Sequence, residues 1–328
     1  MPVNYLLIAL SAFLLGLLVI CLLKFFSSKY NLLISNDIPL IGGIGVAIVL
    51  VFISVFSLSI SGNLTNEATG IIIASLVILI FGIIDDSKEL SIVFKFFVQI
   101  IATTLLILSG VKTKIAFIPS SVNIIITFLW VIGITNAFNL LDVMDGLAGG
   151  TAIIVSLAFF IISFLSGNIQ IGILSIALTG AVLAFLIYNF PPARIYMGNA
   201  GSHFLGFLLA GAALAINYAP LEKKLALTSP ILILGFVIFD MFFLILMRIK
   251  QGKSIFKKSA DHLALRFLKK GYSKNKALLF MLTLCLFFAV SGIATSLASN
   301  FWSMIIVLSA IFCSSLVAII MNGVKIEA

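Results

Sequence analysis

Long, uninterrupted stretches of apolar residues dominate this chain and restrict the folds that it can adopt. A helix of about 20 apolar residues crosses the hydrocarbon core of a bilayer. Only 9% of the residues are charged, whereas soluble proteins carry about 25%. We therefore predict an all-α, polytopic integral membrane protein that forms a single transmembrane domain over residues 1–328. Eleven stretches have the properties of a span, at approximately 4–26, 38–60, 69–84, 92–109, 121–138, 148–166, 170–189, 203–219, 227–248, 277–297 and 302–321.

The distribution of positive charge predicts how these segments are oriented. Of the 20 Lys and Arg residues, only Lys112, Lys114, Lys223 and Lys224 fall on one side of the membrane. Because cytoplasmic loops are enriched in Lys and Arg, we expect the N-terminus outside and the C-terminus in the cytoplasm. The net charge of +9 reflects this asymmetry, so it does not indicate a nucleic-acid partner. A basic loop such as 248–276 also suits anionic lipid headgroups or a phosphorylated substrate.

Four polar side chains recur at every third residue where the fifth apolar segment ends. They are Asn136, Asn139, Asp142 and Asp145. On an α-helix, residues three apart lie on roughly one face, so we expect a wall of oxygen atoms at a membrane-embedded helix end. A carboxylate at the bilayer centre costs about 2.5–3.5 kcal/mol. Such a wall therefore indicates a functional site.

Two further acids and a lysine accompany this wall. Asp85 and Asp86 end the third segment, and Lys95 lies inside the fourth. A lysine at that depth either extends to the interface or meets an anion. Several carboxylates close together repel one another unless they are protonated or bound to a cation. Oxygen ligands of this kind suit Mg²⁺ held together with substrate phosphates, whereas an Asp-lined cation channel or proton relay is the alternative.

Two shorter motifs complete the candidate site. Gly198 lies in a glycine-rich turn, Met197–His203, that opens the eighth segment, and backbone N–H groups at a helix N-terminus attract phosphate. Small residues there also suit helix packing. His262 and Arg266 lie in the basic loop, where Arg recognises phosphate or carboxylate, although an ordinary amphipathic surface helix explains them equally well. We predict that the active-site loops are cytoplasmic and lie at about 27–38, 85–95, 139–150, 189–203 and 249–276.

In this order and at these spacings, the motifs resemble the polyprenyl-phosphate N-acetylhexosamine-1-phosphate transferase family, from Pro39-Leu-Ile-Gly-Gly43 to Arg266. The resemblance implies transfer of a sugar 1-phosphate, with GlcNAc as the leading candidate, from a UDP-N-acetylhexosamine donor to undecaprenyl (polyprenyl) phosphate, with release of UMP. It implies Mg²⁺ as cofactor, with Mn²⁺ as an alternative, and a cytoplasmic active site in a bacterial inner (plasma) membrane. The product would start a lipid-linked surface glycan of cell-wall or lipopolysaccharide biogenesis, such as O-antigen or teichoic acid. A homodimer is compatible with the sequence.

The resemblance also assigns roles to residues of this chain. It implies that Lys95 binds the phosphates, that Asn139 and Asn199 bind the metal, and that Asp145 binds the uracil. It places His262 and Arg266 near the sugar nucleotide. The predicted site comprises the catalytic Asp85, Asp86 and Asp142, the substrate-binding Lys95, Asn136, Asp145, Gly198, His262 and Arg266, and the metal ligands Asn139 and Asn199.

The chain departs from the family pattern at three places. Asn199 stands where the family has a metal-binding Asp, Ala264 and Leu265 replace loop histidines, and no basic residue precedes Pro39. An altered sugar donor and a divergent, non-catalytic homologue are both consistent with these changes. A cation-coupled transporter with Asp ligands at broken helices is the rival from a different class, although the sequence shows no two matching halves.

Overall fold

Thirteen α-helices account for nearly all regular structure in residues 3–218, 222–254 and 261–324, which are the residues that the computed structural model describes. A short antiparallel ladder, β1 (Ile34–Ser35) with β2 (Ile38–Pro39), joins the first two helices, and a 3₁₀ helix covers Lys224–Thr228. The α-helices are α1 Tyr5–Tyr30, α2 Gly42–Ile60, α3 Asn66–Ser87, α4 Ile92–Leu108, α5 Ser120–Leu141, α6 Leu147–Leu165, α7 Ile169–Asn189, α8 Gly198–Leu214, α9 Ser229–Ile233, α10 Gly235–Lys250, α11 Leu263–Lys269, α12 Lys274–Leu297 and α13 Asn300–Asn322.

The prediction of an all-α, multi-pass membrane protein is confirmed. Within the described residues, eight helices are long and apolar enough to cross a membrane, and a broken helix pair raises this number to nine. The eight are α1, α2, α3, α5, α6, α7, α12 and α13. The predicted segments 92–109 and 203–219 correspond to α4 and α8, which have 17 residues each. At ~1.5 Å per residue these helices are shorter than a ~30 Å hydrocarbon core, so the count of eleven stays a prediction.

The predicted segment 227–248 is not one continuous helix, which corrects the sequence-based interpretation. The 3₁₀ helix and α9 run to Ile233, and α10 leaves at an angle of 69° from Gly235. Gly235 favours a break because glycine weakens a helix. A Cβ atom at this position would also lie 2.5 Å from Cδ1 of Phe288 on α12. The glycine therefore lets α12 pack against the corner of the broken helix.

The row of four polar side chains does not share one helical face, contrary to expectation. Helix α5 ends at Leu141, and Asp142 follows it with φ −78° and ψ 54°. Gly146 then adopts φ 79° and starts α6. Only Asn136 and Asn139 therefore lie on α5, whereas Asp142 and Asp145 occupy the turn between α5 and α6.

Helix α8 lies at the centre of the bundle and sets the geometry of the candidate site. Its residues from Ala200 to Ala213 are buried on every side, and it packs against α2, α3 and α5. Two glycines permit close approach, because a Cβ on Gly43 of α2 would lie 2.0 Å from Cα of Gly201, and one on Gly82 of α3 would lie 2.3 Å from Cα of Ala200. The N-terminus of α8 is thereby held where α3 and α5 end.

Candidate active site

Asp85 and Lys95 form an ion pair between the end of α3 and the start of α4. Lys95 Nζ donates to Asp85 Oδ2 at 2.6 Å, and the backbone N–H of Leu90 donates to Asp85 Oδ1 at 2.8 Å. The Asp85 side chain is fully buried, whereas that of Lys95 is 22% exposed. Ser91 caps α4 and so fixes Lys95 in the first turn. The pair leaves the lysine accessible from one side, where it can reach an incoming anion.

Asp86 caps the N-terminus of α8. Its Oδ1 accepts from the backbone N–H of Asn199 at 2.7 Å, and its Oδ2 accepts from that of Ala200 at 3.0 Å. A carboxylate is stabilised here by two otherwise unpaired amides and by the helix dipole. Gly198 (φ 74°) precedes these amides, and a Cβ on it would lie 2.6 Å from Asp86 Oδ2. The amides that the sequence suggested for phosphate therefore hold Asp86, and Gly198 provides the room for it.

The two predicted metal ligands lie next to each other. Asn139 Nδ2 donates to Asn199 Oδ1 and to Ser202 Oγ, both at 3.0 Å. Ser202 Oγ in turn donates to the carbonyl of Gly198 at 3.0 Å. Nδ1 of the buried His203 lies 2.8 Å from the carbonyl of Asn199, which supports a structural role for that histidine. Asn139 and Asn199 thus bring two amide oxygens to the first turn of α8.

Asp142 and Asp145 complete a group of carboxylates beside this turn. Burial, and then the negative charges of Asp86 and Asp145, raise the pKa of Asp142 to about 7. Asp145 Oδ2 accepts from the backbone N–H of Ala193 at 3.2 Å. Asp86 and the pair Asp142 and Asp145, from two separate parts of the sequence, therefore lie close enough to repel one another.

Asn136 is engaged away from this group. Its Nδ2 donates to Gln99 Oε1 at 2.8 Å and to the carbonyl of Ile132 at 2.8 Å. Gln99 Nε2 donates back to Asn136 Oδ1 at 3.3 Å. This reciprocal amide pair joins α4 to α5, which supports a packing role for Asn136, and its predicted contact with substrate remains untested.

Asn189 is a residue of the site that the sequence reasoning missed. It is buried at the end of α7, where its Oδ1 accepts from the N–H of Gly146 at 2.9 Å and its Nδ2 donates to the carbonyl of Ile195 at 2.9 Å. These bonds fix the turn that carries Asp142 and Asp145 against the 190–197 loop. The polar residue that ends an otherwise apolar segment before Pro191-Pro192 was the signal available in the sequence.

His262 and Arg266 lie in a second group, formed by α10, α11 and the end of α13. Both side chains are buried, at 5% and 2% exposure. Burial, followed by the charge of Arg248, lowers the pKa of His262 to about 4. Arg266 pairs with Asp261 at 2.9 Å. The predicted loop 249–276 is partly outside the described residues, at 255–260.

The fit of the site to Mg²⁺ rests on oxygen donors. Among the described residues, no three His, Cys, Asp or Glu side chains converge in a way that would hold a metal ion by themselves. Mg²⁺ usually takes only one or two carboxylates, and substrate phosphates and water complete its shell. Asn139, Asn199 and Asp142 supply such a partial set, and a cation beside Asp142 would relieve its repulsion from Asp86 and Asp145.

Comparison with known proteins gives an independent view of the chain. The family model described as glycosyl transferase family 4 matches residues 68–217. The probable undecaprenyl-phosphate N-acetylglucosaminyl 1-phosphate transferase of Bacillus subtilis is 30% identical over 293 residues, which cover 85% of this chain and 79% of that protein. The decaprenyl-phosphate N-acetylglucosaminephosphotransferase of Mycobacterium tuberculosis is 32% identical over 239 residues, which cover 64% of this chain and 59% of that protein. The phospho-N-acetylmuramoyl-pentapeptide-transferase of Staphylococcus carnosus is 30% identical over 250 residues, which cover 68% of this chain and 75% of that protein.

Proposed function

Because the chain belongs to glycosyl transferase family 4, we propose that it transfers an N-acetylhexosamine 1-phosphate from a UDP-sugar to a polyprenyl phosphate. Its membership confirms the resemblance inferred from the motifs. The names of the relatives pair a polyprenyl phosphate with N-acetylglucosamine phosphate, which supports GlcNAc as the first donor to test. That the product starts a surface glycan such as O-antigen or teichoic acid is part of the proposal.

One observation carries this proposal. Lys95, Asp85, Asp86, Asn139 and Asn199 belong to four helices, yet direct bonds bring them to the N-terminal end of α8. The site thus combines the accessible positive charge of Lys95 with oxygen donors and carboxylates, as phosphoryl transfer requires. A cation pathway would need polar groups continuing through the bilayer, whereas these groups gather at one end of the bundle.

The reaction joins two phosphates without a covalent enzyme intermediate. An oxygen of the polyprenyl phosphate attacks the β-phosphorus of the UDP-sugar. The bond from that phosphorus to the oxygen bridging the α- and β-phosphates breaks, and UMP leaves with the electron pair. A phosphate monoester has a second pKa near 6, so the nucleophile is largely deprotonated at neutral pH and needs no strong base.

The residues of the site position these groups and balance their charge. Lys95, held by Asp85 on one side, reaches the phosphate oxygens with its exposed side. Asp86 fixes the first turn of α8, and with it Asn199, and Asp145 lies at the turn assigned to the uracil. Asn139, Asn199 and Asp142 would hold Mg²⁺, which would supply positive charge to neutralise the phosphates.

In the proposed arrangement, the site lies at the cytoplasmic face of a bacterial inner membrane, in a protein of eleven spans. The positive-inside bias of the loops supports this orientation, since Lys24, Lys29 and Lys253 flank the same end of the bundle as the site. Cytoplasmic access suits a nucleotide-activated donor, while the long chain of the acceptor stays in the bilayer.

A transfer assay tests the function directly. Membranes containing the protein are incubated with radiolabelled UDP-GlcNAc, undecaprenyl phosphate and Mg²⁺, and both UMP release and lipid-soluble label are measured. We expect label transfer in the wild type and its loss in Asp85→Asn, because Lys95 loses its partner in the buried pair. Asp37→Asn, at an exposed acid of the loop between α1 and α2, serves as the matched control and keeps activity.

The donor is tested with a panel of UDP-N-acetylhexosamines. Transfer from a donor other than UDP-GlcNAc would identify an altered sugar specificity. Absence of transfer from every donor, by protein that is folded and supplied with Mg²⁺ or Mn²⁺, would contradict the proposed reaction and favour a non-catalytic homologue. Uptake of substrate into vesicles without product would favour a transporter.

A further inference from the structure

Residues 261–269, which we call the His262 segment, are held at a junction of three helices. The segment comprises Asp261, His262 and α11, and it lies against α10, α12 and the C-terminal end of α13. Arg266 is at the centre of this junction and is 2% exposed. A buried arginine requires that its N–H groups be satisfied, so its partners show what the segment is attached to.

The guanidinium of Arg266 is engaged within the protein. Its Nε donates to the carbonyl of Asp261 at 3.2 Å, and its Nη2 donates to Asp261 Oδ1 at 2.9 Å. Its Nη1 donates to the carbonyls of Met321 at 3.0 Å and Val324 at 2.7 Å. The plane also lies 5.4 Å from the ring centroid of Phe243 on α10. All three nitrogens thus have protein acceptors, and a substrate phosphate would have to displace some of them.

Charge complementarity explains why these contacts are favourable. The last turn of α13 has no basic residue of its own, and the carbonyls at a helix C-terminus carry partial negative charge. Arg266 supplies the missing cation from α11. Asp261 Oδ1 also accepts from Gln251 Nε2 at 2.8 Å, and Lys250 Nζ donates to Asn322 Oδ1 at 3.3 Å. The ends of α10 and α13 are therefore linked to each other as well as to the segment.

His262 is the residue whose position these links determine. It immediately precedes α11 and is 5% exposed, and its Nδ1 has no hydrogen-bond partner among the described residues. The backbone N–H of Leu263 donates a hydrogen bond to the carboxyl of Asp240 on α10. The imidazole is thus flanked by two fixed backbone positions, and its Nδ1 is itself buried.

We propose that Arg266 is a positioning residue that clamps the His262 segment to the C-terminal end of α13. In this role it acts through His262 and does not contact the substrate, so binding of the sugar nucleotide depends on the end of the last helix. This inference rests on the proposed function, but it differs from the direct phosphate contact that the sequence pattern suggested for Arg266.

The clamp is tested by removing its donor and the nearer of its two acceptors on the α13 side. Arg266→Ala removes the donor, and a chain ending at Asn322 removes the carbonyl of Val324 while that of Met321 stays. We expect each change to raise KM for UDP-GlcNAc roughly 5- to 10-fold with less than about a 2-fold change in kcat. Arg266→Lys keeps the positive charge but lacks the forked N–H donors of the guanidinium, so its KM should lie between those of the wild type and Arg266→Ala. A chain ending at Val324, and Lys269→Ala on the exposed side of α11, serve as matched controls and behave like the wild type.

Combining the two changes separates clamping from direct contact. If both act through the same bonds, the double variant is no more impaired than Arg266→Ala, a non-additive result. If Arg266 instead binds the substrate, the chain ending at Asn322 keeps its KM and the effects add. That result would overturn the proposal.

A second measurement does not depend on catalysis. Amide hydrogen exchange of residues 263–269, in protein without substrate, should be roughly tenfold faster in Arg266→Ala and in the chain ending at Asn322. Exchange in α6 serves as the internal control for global unfolding. Unchanged exchange at 263–269 in the shortened chain would overturn the clamp. Faster exchange in a protein that transfers no sugar phosphate would leave the clamp standing and contradict only the proposed function.

Discussion

At the scale of single residues, the pairing of Asn199 with Asn139 determines which side chains position 199 can accept. Asn199 Oδ1 accepts from Asn139 Nδ2 at 3.0 Å, and an aspartate at position 199 would accept the same bond. The substitution would add a negative charge where a hard cation is expected, and Mg²⁺ affinity rises with the charge of its ligands. The hydrogen bonds of the site therefore predict that position 199 tolerates either residue.

The first prediction concerns this position. Asn199→Asp keeps or raises transfer activity and lowers the Mg²⁺ concentration for half-maximal activity by roughly tenfold, which corresponds to ~1.4 kcal/mol of binding. The measurement is a Mg²⁺ titration of label transfer. Asn199→Ala, which removes the oxygen, is the comparison and should require more Mg²⁺ than the wild type. Loss of activity in Asn199→Asp would show that the amide is a specialised adaptation.

The second prediction follows from the raised pKa of Asp142. The pKa is about 7 in the folded protein, against an ordinary value of 3.8. Between these values the folded state holds a proton that the unfolded chain has released, so stability falls as pH rises from about 4 to about 7. Asp142→Asn removes this loss of stability at high pH. The variant should therefore melt at a higher temperature than the wild type at pH 8 and at about the same temperature as the wild type at pH 4.

Thermal denaturation in detergent across this pH range measures the effect. Asp37→Asn, at an exposed acid, is the control and should follow the wild-type curve. Mg²⁺ should move the wild-type transition to lower pH, because a bound cation favours the charged carboxylate. Parallel curves for the wild type and Asp142→Asn would contradict the repulsion inferred among Asp86, Asp142 and Asp145.

At the scale of elements, the first turn of α8 is where the site and the packing of the bundle meet. Asp86 of α3 reaches the amides of Asn199 and Ala200 because Gly198 has no side chain and adopts φ 74°. The third prediction is that Gly198→Ala abolishes most transfer activity and lowers the melting temperature. A left-handed alanine costs about 1–2 kcal/mol, and its Cβ would in addition lie 2.6 Å from Asp86 Oδ2.

A second glycine separates these two effects. Gly252 has φ 65°, and a Cβ there would meet none of the described residues within 4 Å. Gly252→Ala therefore adds only the cost of a left-handed alanine, without a steric contact. This variant should lose some stability but keep its activity. Equal loss of activity in both variants would mean that the contact between Gly198 and Asp86 is unimportant.

Elements also show what could be read from the sequence. Apolar runs located the long helices, because the burial of apolar side chains leaves a local pattern in the sequence. The spacing of Asn136 to Asp145 suggested one helical face, yet α5 ends at Leu141. That stop depends on the φ of Gly146 and on its bond to Asn189, a partner 43 residues away. The pairings of Asp86 with α8 and of Arg266 with α13 are likewise set by tertiary contacts, so spacing alone did not reveal them.

At the scale of the whole molecule, the site groups lie at one end of the helix bundle. Asp85 with Lys95, Asn139 with Asn199, and Gly146 with Asn189 each join a helix end to a helix start at that end. The opposite end is joined by Glu67 with Lys114 at 3.2 Å and by Asn168 with the carbonyl of Ala215 at 2.7 Å. The two ends of the bundle therefore differ, and the candidate site lies at one of them.

The fourth prediction concerns the side of the membrane that the candidate site faces. In a background with Cys21, Cys285 and Cys313 replaced by serine, a single cysteine is placed at the exposed Ala116 or the exposed Lys253. A membrane-impermeant maleimide should label Ala116→Cys in intact cells and Lys253→Cys only after the membrane is opened, because basic loops stay in the cytoplasm. The cysteine-free protein gives the background. Labelling of Lys253→Cys in intact cells would place the carboxylates and Lys95 outside, away from cytoplasmic UDP-sugars, and would exclude the proposed donor even if the helices span the membrane as predicted.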